Sequence, residues 1–206
     1  MIISSLHKFI FVAIPKTGTH SVRRALREHM GPQDMEQVGL FVQRSLPIAD
    51  LARIGHGHIS LAQLRPYVQA DKFADFFKFA FVRNPFDRFV SYASFITREV
   101  GHFDRDPQSV MRHFLDNPPM DHVLFRPQHE FVTDRDGQLL ADYIGRVEDM
   151  QKSYDEICAR IGIPKATLDQ VNSSRRGSYR DYYDDALVEG VAKLYARDLE
   201  LFGYEF

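Results

Sequence analysis

Apolar residues fall along this chain in two kinds of run. Blocks of Phe, Ile, Val and Ala occupy residues 9–14 and 76–82, the second interrupted only by Lys78, and a stretch with apolar positions every three or four residues follows each. A continuous apolar block reads as a parallel strand buried on both faces, and the 3.6-residue spacing as an amphipathic helix. The first block, Phe9-Ile-Phe-Val-Ala-Ile14, runs into Pro-Lys-Thr-Gly-Thr and then a helix expected over residues 21–30, which Gly31-Pro32 stops. The second ends at Arg83-Asn-Pro85, and a helix is expected over residues 86–98, apolar at 86, 89, 90, 93 and 96.

Weaker patterns fill in the rest. Residues 33–50 are mixed, with a short helix expected over 35–42, and Arg53-Ile-Gly-His-Gly-His-Ile-Ser60 reads as a short strand with alternating side chains. A helical turn over 61–68 is broken by Pro66, and a helix is expected over 107–115 inside a polar stretch. Asp134-Arg-Asp-Gly137 signals a turn between two short strands, the second over 140–144. An amphipathic helix over 150–161 ends at Gly162 with Pro164 beyond it, and a final helix spans about 185–202. Strands alternating with helices predict an α/β fold of three layers, a central, mainly parallel sheet flanked by helices. The expectation is one domain over residues 1–206, with about 99–125 as a substrate-facing insertion or lid.

At 206 residues, 44% of them hydrophobic and 17 of them Phe, the chain can bury a substantial core. Its formal net charge of −2 excludes a bulk polyanion-binding role, so no nucleic-acid partner is expected and any basic site is local. A single cysteine, Cys158, leaves no internal disulfide framework, and its place in the pattern Tyr154–Ile157–Cys158–Ile161 makes it a small core residue. No apolar run reaches the ~18 residues of a membrane span and no signal-peptide pattern opens the chain, so a cytoplasmic location without membrane insertion is expected.

The candidate chemistry sits where the two apolar blocks end. A loop between a strand and a helix N-terminus is an anion site, because unpaired backbone N–H groups point at the ligand. Here Lys16 adds a charge, Gly18 permits close approach, and Thr17, Thr19 and Ser21 add hydroxyls. The loop is not the nucleoside-triphosphate P-loop, which needs its Lys after the second of two glycines and a hydroxyl beside it for magnesium. At the second junction, Arg83-Asn-Pro-Phe-Asp-Arg-Phe-Val-Ser91, the Arg83 guanidinium and Ser91 hydroxyl suit one phosphate; the competing reading pairs Arg83 with Asp87.

These two segments together resemble the cofactor signatures of sulfotransferases that use 3′-phosphoadenosine 5′-phosphosulfate (PAPS). Phe125-Arg-Pro-Gln128, Tyr143-Ile-Gly-Arg-Val-Glu148, residues 172–183 and Phe202-Gly-Tyr204 resemble later segments of the carbohydrate-type branch. The resemblance implies a P-loop-like sulfotransferase fold. It implies that Pro15, Lys16, Thr17, Gly18, Thr19, His20 and Ser21 hold the 5′-phosphosulfate of PAPS, and Arg83 and Ser91 its 3′-phosphate. Arg176 and Gly177 resemble the late basic loop that closes over the cofactor; a solvated connector is the competing reading. The reaction implied is in-line sulfuryl transfer to a hydroxyl of a carbohydrate or other small acceptor, with Lys16 neutralising the leaving oxygen and no metal.

The acceptor hydroxyl needs a base, and His is the usual choice near neutral pH. His56-Gly-His58 is similar to the His-Gly-His of uronosyl 2-O-sulfotransferases, which implies His58 as base and His56 as a group orienting substrate or base. A metal pair, two structural histidines, or a carboxylate base (Glu99 or Asp104) are the competing readings. Arg126 and Gln128 are candidate acceptor contacts, and Tyr179, Tyr182 and Tyr183 either line a sugar site or pack in the core. The alternative functions are a P-loop-type nucleotide kinase and a non-catalytic nucleotide sensor.

Overall fold

The structure, a computed structural model, describes residues 1–39, 44–169 and 177–206. The chain forms two compact units, Met1–Val82 with Gln128–Asn172, and Arg83–Pro127 with Ser173–Phe206. Among the described residues the first unit holds a sheet of β1 (Ile2–Ser4), β2 (Phe9–Val12), β3 (Met35–Glu36), β4 (Phe77–Val82) and β5 (Tyr143–Arg146), in the order β3-β1-β2-β4-β5. In chain order the helices are α1 (Thr19–Arg27), α2 (Ala49–Ala52), α3 (Leu61–Leu64), α4 (Ala70–Asp75), α5 (Pro85–Ile96), α6 (His102–Arg105), α7 (Pro107–Asp116), α8 (Met150–Ile161), α9 (Asp185–Leu194) and α10 (Ala196–Phe202). Of these, α1–α4 and α8 belong to the first unit and the rest to the second.

The sheet is mixed, which corrects the expectation of a mainly parallel one. β2, β4 and β5 pair in parallel, but β1 runs antiparallel to both its neighbours, β2 and β3. Only residues 5–8 separate β1 from β2. So short a link returns the chain alongside itself, whereas a parallel pair needs a crossover of a dozen residues or more.

One sheet face explains the aromatic content. Ile2, Phe9, Phe11, Phe79 and Phe81 pack against Val22 and Leu26 of α1 and Tyr154, Ile157, Cys158 and Ile161 of α8. The alternate residues Ile10, Val12, Ala80 and Val82 are equally inaccessible, which is why β2 reads as an unbroken apolar block and β4 as one broken only by Lys78, whose Nζ donates to the Phe73 and Phe76 carbonyls. α8 has the bounds its spacing predicts, and Gly162 closes it in the left-handed conformation. Cys158 is a fully buried core residue, and burial pushes its thiol pKa up.

In the second unit α5 is capped by Asn84 and starts at Pro85. Phe86, Phe89, Tyr92 and Phe125 pack with Leu187, Val191 and Tyr195. The expected single C-terminal helix is divided between α9 and α10 at Tyr195, whose buried hydroxyl donates to the Phe125 carbonyl (2.8 Å).

Three local expectations are corrected. The helix expected over 35–42 begins instead as β3, and residues 40–43 lie outside the described residues. Residues 53–60 form no strand: Gly55 takes a φ of +73°, and a Cβ on Gly57 would meet the Gln37 carbonyl oxygen at 2.2 Å. The 134–137 turn is flanked by an isolated Thr133–Leu139 bridge, and the following strand, β5, starts only at Tyr143.

Candidate functional site

β2 and β4 are parallel neighbours, with Val12 level with Ala80, so both strands end at one edge of the sheet. Ligands of open α/β sheets bind beyond such strand ends. The chain leaving β2 makes a tight loop in which Lys16 and Gly18 both adopt the left-handed conformation, φ +66° and +67°. That conformation costs a residue with a Cβ roughly 1–2 kcal/mol, so Lys16 is held there by its surroundings. At Gly18 a Cβ would also meet the Met150 methyl carbon at 2.5 Å. Glycine is favoured here by backbone conformation, and the Met150 methyl, the far end of a flexible side chain, would have to shift to admit a Cβ.

The loop feeds α1 without closing it. Gly18 is the N-cap residue, no side chain caps the helix, and its first turn carries no acid. Ser21 donates its backbone N–H to the Gly18 carbonyl (3.2 Å). The N–H groups of Thr19 and His20 have no acceptor among the described residues. An uncapped pair of N–H groups of this kind is the sort of donor set an anion can take. Thr17 is turned inward: its hydroxyl donates to the Ile14 carbonyl (2.9 Å) and the residue is fully buried. Its side chain fixes the loop; Thr19 and Ser21, each 6% exposed, carry the other two hydroxyls. His20 is exposed, and partial desolvation together with Arg23, Lys16 and Arg27 holds its pKa below the usual imidazole range.

His58 joins this loop from a different part of the chain. Its Nδ1 lies 2.6 Å from the carbonyl oxygen of Ala13, the residue leaving β2. A carbonyl only accepts, so Nδ1 carries the proton and Nε2 keeps its lone pair. Burial lowers the His58 pKa to about 3, only partly offset by the Ala13 hydrogen bond, so the ring is neutral at physiological pH. His56 accepts the His58 backbone N–H at Nδ1 (3.3 Å), and the two rings lie 5.9 Å apart. The His56 backbone is held by Gln37, whose buried amide donates to the Leu51 (2.7 Å) and His56 (3.0 Å) carbonyls.

The second junction is built differently. Arg83 is engaged by Asp87, with Nε at 2.7 Å and Nη2 at 2.6 Å from one carboxylate oxygen. Ser91 is buried one turn further along α5, on the Asp87 face. An anion reaching Arg83 shares that guanidinium with a carboxylate. Arg88 points elsewhere: it is buried, and its Nη2 donates to the Leu124 (3.2 Å) and Arg126 (2.8 Å) carbonyls.

Within the first unit the structure gathers Pro15, Lys16, Thr17, Gly18, Thr19, His20, Ser21, His56 and His58 around the end of β2. Gln128 belongs to the same unit and is fully buried. Arg83, Ser91, Arg126 and Gly177 belong to the second unit, and Arg176 lies outside the described residues. Tyr183 packs against Phe86 and Phe206 and donates its hydroxyl to the Phe86 carbonyl (2.8 Å), while Tyr182 packs on Phe103, so both act in the core. Glu99 and Asp104 are exposed residues of the second unit. Among the described residues, no three His, Cys, Asp or Glu side chains gather as a metal site would require.

Arg23 escaped the sequence reading. It lies on α1 with a side chain 5% exposed, its Nε 3.3 Å from the buried carboxylate of Glu36. An Arg on an amphipathic helix reads as surface, and the acid that buries it comes from β3, an element with no sequence signal of its own. The one available hint was Glu36 among the apolar and amide residues Met35, Gln37 and Val38.

Compared with known proteins, residues 1–205 match the family model described as the sulfotransferase family. No curated protein and no solved structure matches the chain.

Proposed function

Because the chain belongs to the sulfotransferase family, and is thus a sulfuryl transferase, we propose that its donor is PAPS and its acceptor a hydroxyl of a carbohydrate or other small molecule. The observation that supports this most is the Nδ1–H of His58 on the Ala13 carbonyl, which sets a neutral imidazole at the root of an uncapped, lysine-bearing anion loop. The residues fit the phosphosulfate end of such a donor: among the described residues the first two α1 N–H groups have no acceptor, and the first turn of α1 carries no acid.

Bound PAPS supplies an activated sulfuryl group on a phosphate leaving group. In this reading Thr19 and His20 N–H groups and the Thr19 and Ser21 hydroxyls grip the 5′-phosphate, and Lys16 neutralises the oxygen that keeps the electron pair when its S–O bond breaks. Nε2 of His58 takes the acceptor's proton as the new S–O bond forms, and the Ala13 carbonyl holds the ring in the tautomer this needs. A base with so low a pKa is weak, so His58 mainly orients the hydroxyl and receives its proton late. His56 positions His58. Arg83 and Ser91 take the 3′-phosphate, Gly177 with Arg176 closes over the donor, and Arg126 is the candidate acceptor contact. No metal is assigned, and the chain works in the cytoplasm.

Calorimetric titration with 3′-phosphoadenosine 5′-phosphate (PAP) and with ATP, each with and without magnesium, tests the donor. Tight, magnesium-independent binding of PAP and weak binding of ATP is the expected result. Magnesium-dependent binding of ATP in preference to PAP overturns the proposal in favour of a nucleotide kinase.

A further inference from the structure

The Arg23 guanidinium has more donors than its surroundings accept. Glu36 is surrounded by three guanidinium groups, those of Arg23, Arg27 and Arg44, so three positive charges meet one negative. Its oxygens are taken first by Arg27, with contacts of 2.8, 2.9 and 3.0 Å, and then by Arg44 at 3.2 Å. Arg23 reaches it only edgewise, and among the described residues neither its Nε nor its Nη2 has a hydrogen-bond acceptor, although both are buried. Burial lowers its pKa to about 10, partly countered by Glu36, so the group stays charged at neutral pH.

Its position explains what the spare donors are for. Glu36 pairs across β1 with Ile2, which is itself level with Phe11, so the carboxylate sits at the sheet edge where β2 gives way to the loop. Arg23 is four residues past the first residue of α1, and long helical side chains lean back over the preceding turn. That turn carries the Thr19 and His20 N–H groups. The positive charge of Arg23 is felt both at His20 in the loop and at His58, the proposed base.

We propose that Arg23 is the receptor for the moving sulfuryl group, its Nε–H and Nη2–H donating to the sulfuryl oxygens while Lys16 holds the phosphate side. This rests on the donor reading above. In the free chain these N–H groups are closed to solvent, so engagement requires the guanidinium to rotate toward the loop. Unmatched buried donors gain by that movement the hydrogen bonds they lack.

Comparing PAPS with PAP isolates the contact, because the two ligands differ only in the sulfuryl group. Calorimetry or competition without acceptor gives both affinities for the wild type and for Arg23→Gln and Arg23→Lys. The expected result is an Arg23→Gln protein that binds PAP as the wild type does but PAPS about 10- to 100-fold more weakly, with Arg23→Lys between. A merely structural Arg23 would weaken both ligands together. Equal losses, or none, in a folded variant overturn the inference alone. If Arg23→Gln fails to fold by circular dichroism, the PAPS-to-PAP ratio of Arg23→Lys decides in the same way. Wild-type protein that binds neither ligand overturns the donor reading, and this inference with it.

Discussion

The two strand-to-helix junctions, at residues 13–21 and 83–91, start from adjacent parallel strands and end in opposite designs. The first helix opens on a bare glycine, with no cap and no acid, and the chain leaves its N–H groups unmet. The second opens on an Asn cap, a Pro at its first position and Asp87 three residues past the cap, with Arg83 folded onto that acid. A helix N-terminus attracts anions only where the protein has not already supplied one. The difference teaches that the first junction leaves its helix N-terminus open to an anion, whereas at the second Arg83 is engaged by an acid of its own helix, so that under the proposed donor reading it would share that ion pair with a ligand.

The sharpest way to break the comparison is to remove the charge that makes the first junction special. Lys16→Ala is expected to lower kcat by about 10³-fold while leaving the melting temperature nearly unchanged, since electrostatic stabilisation of developing charge carries effects of this size. Transferring the second junction's acid to the first comes next: Ser21 is the third residue past its cap, as Asp87 is past Asn84. Ser21→Asp is expected to weaken PAP binding about 100-fold, read by calorimetry. Normal PAP binding by the Ser21→Asp protein would show that the first turn of α1 is not where the anion sits.

The reverse exchange should act in the opposite direction and less strongly. Asp87→Ser removes the carboxylate facing Arg83 and is expected to raise PAP affinity up to about tenfold at low salt, whereas Arg83→Ala lowers it by a similar factor. Gly18→Ala places a Cβ at φ +67° against Met150 and is expected to cost about 1–2 kcal/mol of stability in chemical denaturation.

The remaining effect appears only when pH is varied. The folded-state pKa of His58, about 3, lies below that of an unfolded imidazole. The unfolded chain therefore binds the extra proton between pH ~6.5 and ~3, and stability falls as pH drops through that window. The slope due to this one group is at most about 1.4 kcal/mol per pH unit, and should vanish in His58→Gln. For the same reason kcat/KM, which reports the free enzyme, should show no acidic limb near pH ~6.5 from His58.

Elements that carry their own signals were legible in the sequence: β2 and β4 from apolar runs, the latter broken only by Lys78, α8 from its spacing and its Gly162 stop, and the tight turn after β2 from Gly18. What was illegible depends on partners far along the chain. β1 and β3 are three and two residues long, too short for any period to emerge. The His56–His58 segment alternates like a strand, yet the amide of Gln37 and the closeness of its backbone to Gly57 fix it as an irregular loop. Arg23 looked like surface because the carboxylate that buries it, on Glu36, comes from beyond the end of its own helix. The inward turn of the Thr17 hydroxyl depends on a carbonyl three residues back, and no composition rule separates that from a hydroxyl facing a ligand.

The strand beneath the loop is the third of the five, bonded to β1 on one side and β4 on the other. A strand in that place opens only when the sheet itself comes apart, so its amides should be among the last to exchange with deuterated solvent. The platform on which a phosphate would settle is therefore rigid before any ligand arrives. Association at this loop should show little of the entropic penalty that accompanies disorder-to-order binding, and the ordering seen by exchange on ligand addition should be confined to side chains and the edges of the sheet.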